Sequence, residues 1–398
     1  MIKSKKHIAI IGGGPAALIA AAFIDMNMYD VTIFEKNKTV GRKFLVAGKG
    51  GFNLTHSESI ASMISRYYPR GFLDAALNDF SNENLIEWLA KIGIPTYVGS
   101  SGRVFPEKGI RPIEVLNKIT IYIKEKGVNI STNHSWIGIN DNGELMFNND
   151  VTVKSDMCIF ALGGSSWKVT GSDGKYLEWF ENRSVKTIPF SASNCRFVVD
   201  WNPKILPKIE GQPLKNIAVR CGGTVVKGEA LITKNGIEGN TIYTLSRLIQ
   251  NQLKKNGKAT IFIDLKPTLT STIIHSKLSS SGHKNTSEKL KNTINLSKVQ
   301  LCIVKEYVTK ADYNNDEILS QKLKEIELTI VAPTDIDNAI STTGGIALEA
   351  INTDFELINM HNCFCIGEML DWDAPTGGYL LQACISMGVF VARKLNKK

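Results

Sequence analysis

The sequence contains no long uninterrupted apolar run and few cysteines. Glycine, proline or polar residues break every stretch of about 20 residues, so we expect no transmembrane helix. The 7 cysteines of this 398-residue chain are scattered and form no Cys-x-x-Cys pair. Their odd number argues against a disulfide framework, and the missing pairs argue against a zinc site. We therefore expect a reduced cytoplasmic protein without a bound metal ion.

Aromatic residues are missing from the most basic part of the chain. The formal net charge is +9, and lysines are densest at residues 277–298, where no Phe, Tyr or Trp lies between them. Base stacking needs such rings, so we interpret this region as a solvated helical face. We expect a small-molecule partner, no nucleic acid and no membrane, and the sequence leaves the oligomeric state open. A basic protein also attracts anionic cofactors and substrates.

The most informative motif lies at residues 7–36, which have the pattern strand, glycine turn, helix and strand. Residues 8–11 form an apolar run suited to a buried parallel strand. Lysines before an apolar stretch also occur in secretory signals, but three glycines and a proline would break a signal helix. The second strand returns at the distance that a βαβ unit needs.

The turn has the spacing G-x-G-x-x-A, with Gly12, Gly14 and Ala17 at the three fixed positions and Pro15 and Ala16 between the last two. The first glycine permits the turn, and the second lets the backbone approach a pyrophosphate at the helix N-terminus.

The second strand of this unit ends at Glu35, about 20 residues after the turn. Its carboxylate can accept hydrogen bonds from a ribose diol and would repel a 2′-phosphate. With the turn and the helix, this acid predicts dinucleotide binding.

Residues 41–57 follow this unit and are too glycine-rich for a regular helix. Lys36, Arg42 and Lys43 can meet a pyrophosphate or an adenosine ribose. The loop at 48–51, which contains Gly50 and Gly51, can lie against a flat ring, although a plain glycine turn is the alternative.

Asn53, Thr55 and His56 are the polar side chains that we expect to face a reacting ring, and they are the candidate catalytic residues. Asn53 and Thr55 are candidate cofactor ligands as well. His56 could equally be a capping or surface histidine.

Two later segments also follow apolar strands. Ala161, Leu162 and Gly163 end one of them and would let a cofactor lie on the backbone, unless they form an ordinary turn. Gly367, Glu368 and Asp371 follow the other, and an acid there can hold the hydroxyls of a ribitol chain.

Gly377 and Gly378 open a predicted helix at 379–390, with Tyr379 and Gln382 in its first turn. The positive end of this helix can stabilise negative charge on a reduced isoalloxazine, so all four residues are predicted to bind the cofactor. Two helix N-termini, one near each end of the chain, suit non-covalently bound FAD. Since there is no second G-x-G-x-x-G, a dedicated NAD(P)H domain is not expected, and the sequence leaves open whether NAD(P)H docks as a transient electron donor.

The pattern of predicted elements changes near Pro189, where short strands replace the alternation of helix and strand. The predicted FAD-binding domain is therefore discontinuous and comprises residues 1–189 and 341–398. Between these parts we place a β-rich insert at 190–267 and 326–340 and a helical subdomain at 268–325.

Several of these segments resemble the BaiN/YhiN-like flavoproteins, also described as the aminoacetone-oxidase type. They are residues 12–17, 41–56, 161–164, 170–174, 228–239, 341–346, 367–371 and 376–379. The resemblance covers nearly the whole chain. It implies an α/β fold: a Rossmann-like two-dinucleotide-binding FAD domain with an inserted β-barrel-like domain and a small helical domain.

One departure from the family pattern concerns residues 50–53. Much of the family has Gly-Arg-Cys-Asn where this chain has Gly50-Gly51-Phe52-Asn53. No role of that arginine or cysteine carries over, and the Lys-Gly-Gly version resembles a distinct subfamily.

These observations predict an FAD-dependent oxidoreductase that moves a hydride through the flavin N5 to or from a small organic substrate bound under the insert. The resemblance implies reduction of a conjugated C=C bond or oxidation of an amine. A flavin-dependent RNA-modifying protein and a non-catalytic flavin-binding protein are the alternatives.

Overall fold

The computed structural model describes residues 5–46 and 52–398. The predicted ring-binding glycines Gly50 and Gly51 lie outside the described residues. The chain divides into two compact units, Met1–Ala192 with Ile340–Lys398 and Ser193–Ala339. Each unit is described by itself below.

The α-helices of the described residues are α1 Pro15–Phe23, α2 Arg42–Val46, α3 Ile60–Ile64, α4 Asp74–Asp79, α5 Asn82–Lys91, α6 Pro112–Glu125, α7 Leu177–Glu181, α8 Leu206–Ile209, α9 Asn240–Thr244, α10 Ser246–Asn256, α11 Ser271–Ser279, α12 Thr286–Asn292, α13 Lys298–Tyr307, α14 Lys310–Tyr313, α15 Asp316–Lys322 and α16 Tyr379–Leu395. Short 3₁₀ helices lie at Lys168–Thr170, Ile336–Asn338, Leu348–Ala350 and Gly367–Met369.

The β-strands are β1 Lys6–Ile11, β2 Tyr29–Glu35, β3 Thr55–His56, β4 Thr96–Val98, β5 Arg103–Pro106, β6 Asn129–Thr132, β7 Trp136–Ile139, β8 Leu145–Phe147, β9 Thr152–Val153, β10 Met157–Phe160, β11 Thr187–Ser193, β12 Phe197–Val198, β13 Pro213–Cys221, β14 Thr224–Thr233, β15 Gly236–Glu238, β16 Ala259–Asp264, β17 Ile326–Ile330, β18 Ala332–Pro333, β19 Ser341–Ile346 and β20 Cys363–Cys365.

A five-stranded parallel sheet forms the centre of the first unit, in the order β20-β10-β1-β2-β6. The central strand β1 is apolar, and Ile8, Ala9, Ile10 and Ile11 are at most 1% exposed, as a strand covered on both faces requires. The strand β20 comes from the C-terminal segment and extends the same sheet. The two ends of the chain therefore build one domain, as the sequence predicted.

Helix α1 follows β1 directly and is buried from Ala16 to Ala22. The C-terminal helix α16 packs on it, and the closest approach is at Gly388. A Cβ atom at this position would lie 2.6 Å from the carbonyl oxygen of Ala16 and 3.1 Å from the amide nitrogen of Ala20. The glycine thus allows the two backbones to touch, as small residues do at close helix crossings.

Smaller sheets complete the first unit. Strands β3, β5 and β4 form an antiparallel sheet in that order, as do β7, β8 and β9. Strands β11 and β19 pair with each other.

The second unit is built on a seven-stranded antiparallel sheet in the order β17-β16-β13-β14-β15-β12-β18. The edge strands β17 and β18 are separated in the chain by Val331 alone. One residue cannot cross seven strands, so the sheet must curl until its two edges meet, in the manner of a barrel. Helices α11 to α15 follow one another at residues 271–322, where the sequence predicted a helical region.

Two details of the insert differ from the sequence prediction. Separate strands were expected at 224–226 and 230–233, but β14 runs through both, with Gly228 at φ of +156° between them. A single helix was expected at 242–254, but α9 ends at Thr244 and α10 begins at Ser246, with Leu245 capping both.

No helix among residues 5–46 and 52–398 combines the length and the apolar character needed to cross a membrane.

Candidate functional site

A cavity of about 410 Å³ lies in the first unit at the carboxyl ends of β1, β2 and β10. Ligands of open parallel sheets bind at this edge. Its lining comes from five parts of this unit: residues 11–16, 34–43, 134–137, 161–179 and 366–384.

The glycine turn forms one wall of the cavity, and its three glycines have different roles. Gly12 has φ of +103°, and a Cβ there would clash with the carbonyl oxygen of Ala161. At Gly13 a Cβ would lie 2.7 Å from the Val40 side chain. A Cβ at Gly14 would meet nothing within 4 Å. The first two glycines are therefore required by packing, whereas Gly14 leaves room in the cavity wall.

Helix α1 opens on this space. Its N-cap is Gly14, no side chain caps it, and Pro15 occupies its first turn. The predicted ligands Ala16 and Ala161, with Leu162 and Gly163, also line the cavity, whereas Ala17 is fully buried behind it. An N-terminus without a side-chain cap can direct its N–H groups at an anion.

Glu35 lies at the end of β2, is 8% exposed and lines the cavity. Its Oε2 accepts a hydrogen bond from the Gly13 amide at 2.8 Å. Its Oε1 accepts from the Asn37 amide at 2.8 Å and from Asn37 Nδ2 at 2.7 Å. A carboxylate offers about four lone-pair sites, so acceptor capacity remains for a ribose diol.

The basic residues after β2 reach across to residues 163–176. Lys36 Nζ lies 3.0 Å from Asp173 Oδ2, and Arg42 Nη2 donates to the Val169 carbonyl oxygen at 3.0 Å. Lys43 Nζ donates to Ser166 Oγ at 2.8 Å. These contacts hold the two segments together along the cavity.

Lys43 also forms an ion pair with Glu368, with 2.7 Å between Nζ and Oε2. The other carboxylate oxygen accepts from the Thr342 amide at 3.1 Å. Gly164 is packed against this pair, because a Cβ there would lie 2.9 Å from Glu368 Cδ. The pair thus joins α2, β19 and the turn at Gly367, which lines the cavity beside Glu368.

Thr55 and Gln382, predicted to face the cofactor, are turned towards each other in the interior. Both are 0% exposed, and Thr55 Oγ1 donates to Gln382 Oε1 at 2.7 Å. Gln382 Nε2 donates to Ser386 Oγ at 3.0 Å and to the Phe80 carbonyl oxygen at 3.3 Å. The structure places both side chains outside the cavity lining.

Gly378 has φ of +101° and lies on the backbone of Thr55, where a Cβ would be 2.5 Å from the Thr55 carbonyl carbon. It is the N-cap of α16, again with no side-chain cap. Gly377 precedes it with φ of +116°. The N-terminus of α16 therefore rests on the strand that carries the candidate catalytic residues.

His56 stacks on Tyr379, with ring centroids 5.2 Å apart and an angle of 18° between the planes. The Glu58 amide donates to His56 Nδ1 at 3.1 Å, so the proton is assigned to Nε2, which faces the Ser101 carbonyl oxygen at 3.1 Å. Both ring nitrogens are thereby engaged in hydrogen bonds.

The Tyr379 hydroxyl belongs to a polar group with Glu58 and Arg66. Arg66 binds the Glu58 carboxylate with Nε at 3.1 Å and Nη2 at 2.8 Å. Burial, and then the hydrogen bond to Glu58, raise the pKa of Tyr379. Burial works to raise the pKa of Glu58, but hydrogen bonds from Arg66 and Tyr379 outweigh it, so this pKa lies below its usual value.

The remaining predicted residues lie outside the cavity lining. Asn53 is half-buried in the segment before β3. Asp371 Oδ1 accepts from the Gly344 amide at 2.7 Å and so holds β19.

Sequence reasoning missed several residues that line the cavity: Asn37, His134, Ser135, Trp136, Asp173, Tyr176 and Cys384. His134–Trp136 follow β6, and the strand order alone could have placed them at this edge. The Trp136 indole Nε1 is buried and has no hydrogen-bond partner among the described residues. Burial raises the pKa of the Cys384 thiol to about 12, so this cysteine is a poor nucleophile.

The residues around the cavity fit a dinucleotide. Gly14 leaves open space at an uncapped helix N-terminus, as a diphosphate requires, and Glu35 stands one strand away with acceptor capacity for a ribose. Lys36, Arg42 and Lys43 supply positive charge along the same wall. Gly367 and Glu368 bring the C-terminal segment to the same cavity.

The sheet, the glycine turn and the cavity together define a Rossmann-type FAD-binding domain of the flavin-dependent oxidoreductase class. More particularly, the chain belongs to the HI0933-like protein Rossmann domain family, which it matches over residues 6–394. The resemblance to the BaiN/YhiN-type flavoproteins is thus confirmed.

Three relatives match over nearly the whole chain. A 3-dehydro-bile acid delta(4,6)-reductase of Clostridium scindens is 24% identical over 406 residues, which cover 97% of this chain and 98% of that protein. A ribosomal RNA dihydrouridine synthase of Haemophilus influenzae is 24% identical and covers 98% of both chains. The Escherichia coli protein of the same name is 21% identical and covers 94% of both.

Solved structures share the fold. A flavocytochrome c3 fumarate reductase in its open conformation superposes with a TM-score of 0.53 at 13% identity and covers 99% of this chain and 78% of that chain. A 3-ketosteroid-delta4-(5alpha)-dehydrogenase of Rhodococcus jostii RHA1 gives a TM-score of 0.51 at 14% identity and covers 100% of this chain and 97% of that chain.

Proposed function

We propose that this protein is an FAD-dependent oxidoreductase that transfers a hydride to or from a small organic substrate whose C=C bond is conjugated to a carbonyl group. The observation that carries the proposal is the joint lining of one cavity by the Gly12–Gly14 turn and by Gly367 and Glu368. A long dinucleotide needs binding groups from both ends of the chain, and the sheet order brings them to the same edge.

In this proposal each part of the cavity lining binds a different part of FAD. The N–H groups at the start of α1 bind the diphosphate, and Glu35 orients the adenosine ribose by accepting its hydroxyls. Glu368, held by Lys43 and the Thr342 amide, orients the ribitol hydroxyls. A flavin bound here supplies the hydride chemistry. The N-terminus of α16 favours negative charge near Thr55.

The substrate class is suggested by the relatives. The Clostridium scindens protein is named for reduction of a delta(4,6) bile acid, and a C=C bond at these positions is conjugated to a 3-oxo group. Reduction of such a bond adds a hydride to the β-carbon and a proton from solvent to the α-carbon. Amine oxidation, which the family resemblance also implied, has no comparable support here.

The test has two stages. The purified protein should absorb near 450 nm and be bleached by dithionite, and protein that stays colourless and takes up no FAD would contradict the proposal. In the second stage, anaerobically reduced protein is mixed with 4-androstene-3,17-dione or 2-cyclohexenone. Reoxidation of the flavin with formation of the saturated ketone is expected. If only amines reduce the oxidised flavin, and no enone reoxidises the reduced form, amine oxidation is the better proposal.

A second candidate is reduction of a uracil base in RNA. Two relatives are named as ribosomal RNA dihydrouridine synthases, and the uracil C5=C6 bond is itself conjugated to a carbonyl. The second unit holds 21 Lys and Arg against 14 Asp and Glu, so it carries most of the net charge of the chain. A basic unit of this kind favours binding to phosphate backbones.

This candidate is tested with an unmodified ribosomal RNA transcript and the reduced protein. Dihydrouridine at one position, measured by mass spectrometry of nuclease fragments, would support it. Salt-sensitive retention of any RNA without formation of dihydrouridine would favour the small-molecule substrate instead.

A further inference from the structure

Four side chains share one face of the small sheet formed by β3, β5 and β4. His56 lies opposite Arg103, and Tyr97 lies opposite Phe105. Directly opposed residues of antiparallel strands project to the same face, and so do residues two apart on one strand. His56, Arg103, Phe105 and Tyr97 therefore form a single surface, which we term the platform.

The centre of the opposite face packs on the interior, whereas Val98 at its edge is 55% exposed. Its central residues Thr55 and Val104 are 0% exposed, and Pro106 is also buried. The platform is different, because His56, Arg103 and Phe105 are half-buried and Tyr97 is 40% exposed. It is thus an aromatic and cationic surface that the rest of the first unit leaves partly open.

Two glycines of the β4–β5 hairpin leave room for the Phe105 and His56 rings. A Cβ at Gly99 would be 2.9 Å from Phe105 Cε2, and a Cβ at Gly102 would be 2.6 Å from His56 Cε1. The Phe105 ring is stacked with Tyr97, with centroids 5.6 Å apart and an angle of 25°. Phe105 and Tyr97 therefore run nearly parallel and form one apolar patch next to the hairpin glycines.

The platform adjoins the N-terminus of α16. His56 stacks on Tyr379, the first residue of that helix, and a Cβ on Gly377 would lie 3.3 Å from Arg103 Nε. The Arg103 guanidinium and the N-terminus of α16 therefore both place positive charge at one end of the platform. The stacked rings of Phe105 and Tyr97 lie at its other end.

This arrangement suits one chemical class. A molecule with a planar enone unit can pack that unit against Phe105 and Tyr97 and direct its oxygen to Arg103. Addition of a hydride to the β-carbon increases the negative charge on that oxygen, so a cation placed there stabilises the product side of the step.

We propose that the platform is the substrate-binding surface and that Arg103 and Phe105 determine its preference for α,β-unsaturated carbonyl compounds, whose C=C–C=O unit is planar. The proposal rests on the proposed function and goes further by assigning its substrate site. A steroid enone and a uracil both contain a C=C bond conjugated to a carbonyl group. The experiment measures the binding of each one separately.

The experiment measures binding of 4-androstene-3,17-dione and of 1-methyluracil to the FAD-loaded protein by equilibrium dialysis. Arg103→Met, Phe105→Ala and Tyr97→Ala are compared with wild type. The second unit offers matched controls, because Arg220 and Phe262 are also half-buried on neighbouring strands, and the Arg220 guanidinium lies 4.2 Å from the Phe262 ring. The controls are Arg220→Met and Phe262→Ala.

We expect at least one probe to bind, and each platform variant to weaken its binding tenfold or more. Flavin content and thermal unfolding should stay at the wild-type level, and the controls should bind as wild type does. If Phe105→Ala fails to fold, Arg103→Met and Tyr97→Ala, the latter at the exposed position, carry the test. The probe that binds shows whether the platform takes a steroid enone or a uracil.

Wild-type affinity in the platform variants would overturn the inference, even if enones reoxidise the reduced flavin. Absence of binding of both probes to wild type would overturn it as well. The proposed function fails on a different measurement, namely when no enone, including 2-cyclohexenone, reoxidises the reduced flavin.

Discussion

Gly388 of α16 lies directly against Ala16 of α1, so close that a Cβ would stand 2.6 Å from the Ala16 carbonyl oxygen. This contact joins the last helix of the chain to the helix that opens the nucleotide cavity. The position of the α1 N-terminus therefore depends on a crossing that only glycine fits.

Replacement of Gly388 by Ala should destabilise the protein although alanine favours a helix by about 1 kcal/mol over glycine. The added Cβ meets backbone, which cannot move aside as a flexible side chain can. We expect a net loss of about 1–3 kcal/mol, as for overpacked cores, seen as a lower midpoint of thermal unfolding. Gly282→Ala is the control, since a Cβ there meets nothing within 4 Å. An increased midpoint for Gly388→Ala would contradict the crossing geometry.

Gly12 and Gly14 should respond differently to substitution, although both belong to one motif. Gly12→Ala forces a positive φ of 103° on alanine and a clash with Ala161, at a cost of about 1–3 kcal/mol for the backbone strain alone. Gly14→Val adds its side chain to open space in the cavity wall, so it should leave the unfolding midpoint of the FAD-free protein unchanged while FAD content falls. The measurements are flavin absorbance per protein and thermal unfolding of the apoprotein. Equal loss of stability in both variants would contradict the distinction.

The βαβ unit could be predicted from the sequence because it is local. Residues 6–35 contain their own strands, turn, helix and acid, and β1, α1 and β2 occur where the spacing indicated. Helix α5 was predictable for the same reason, since Ser81 caps it and Asn84 returns the hydrogen bond.

The polar contacts of the site were not predictable, because they join residues far apart in the chain. The sequence predicted Thr55 and Gln382 as cofactor ligands. In the structure they form a hydrogen bond to each other in the interior, although they are 327 positions apart in sequence. Lys43 suggested a phosphate ligand, and its Nζ is held by Glu368, 325 positions away. A single sequence does not show which distant residues will meet in the fold. A buried donor then binds whichever acceptor the fold places next to it.

The pair of Lys43 and Glu368 should show energetic coupling. Their side chains are only 25% and 16% exposed, so removal of one partner leaves a poorly solvated charge. We expect Lys43→Met and Glu368→Gln each to lower the free energy of unfolding of the apoprotein by about 1–3 kcal/mol. The double variant should lose less than the sum, with a coupling of about 0.5–3 kcal/mol in a denaturant-based double-mutant cycle.

The exposed pair of Lys186 and Glu349 is the control for this cycle. Its side chains are 65% and 70% exposed, and solvent screens their interaction. Its coupling should be close to zero. An additive result for Lys43 and Glu368 would show that the cavity wall does not depend on their contact.

Stability should depend on pH through Glu58, which holds Arg66 and the Tyr379 hydroxyl at the start of α16. Burial opposes its ionisation, but the hydrogen bonds from Arg66 and Tyr379 prevail, and its pKa in the folded protein is lowered. A lowered carboxyl pKa stabilises the fold above the pKa of the unfolded chain, and this contribution disappears as the pH falls through the folded-state pKa. The unfolding midpoint of wild type should therefore exceed that of Glu58→Gln at pH 7, and the difference should shrink below about pH 4.

Glu107→Gln, at an exposed loop position, is the control, and its unfolding midpoint should follow that of wild type across the pH range. A Glu58→Gln difference that persists undiminished at pH 3 would show that shape rather than charge holds the Tyr379 end of the helix.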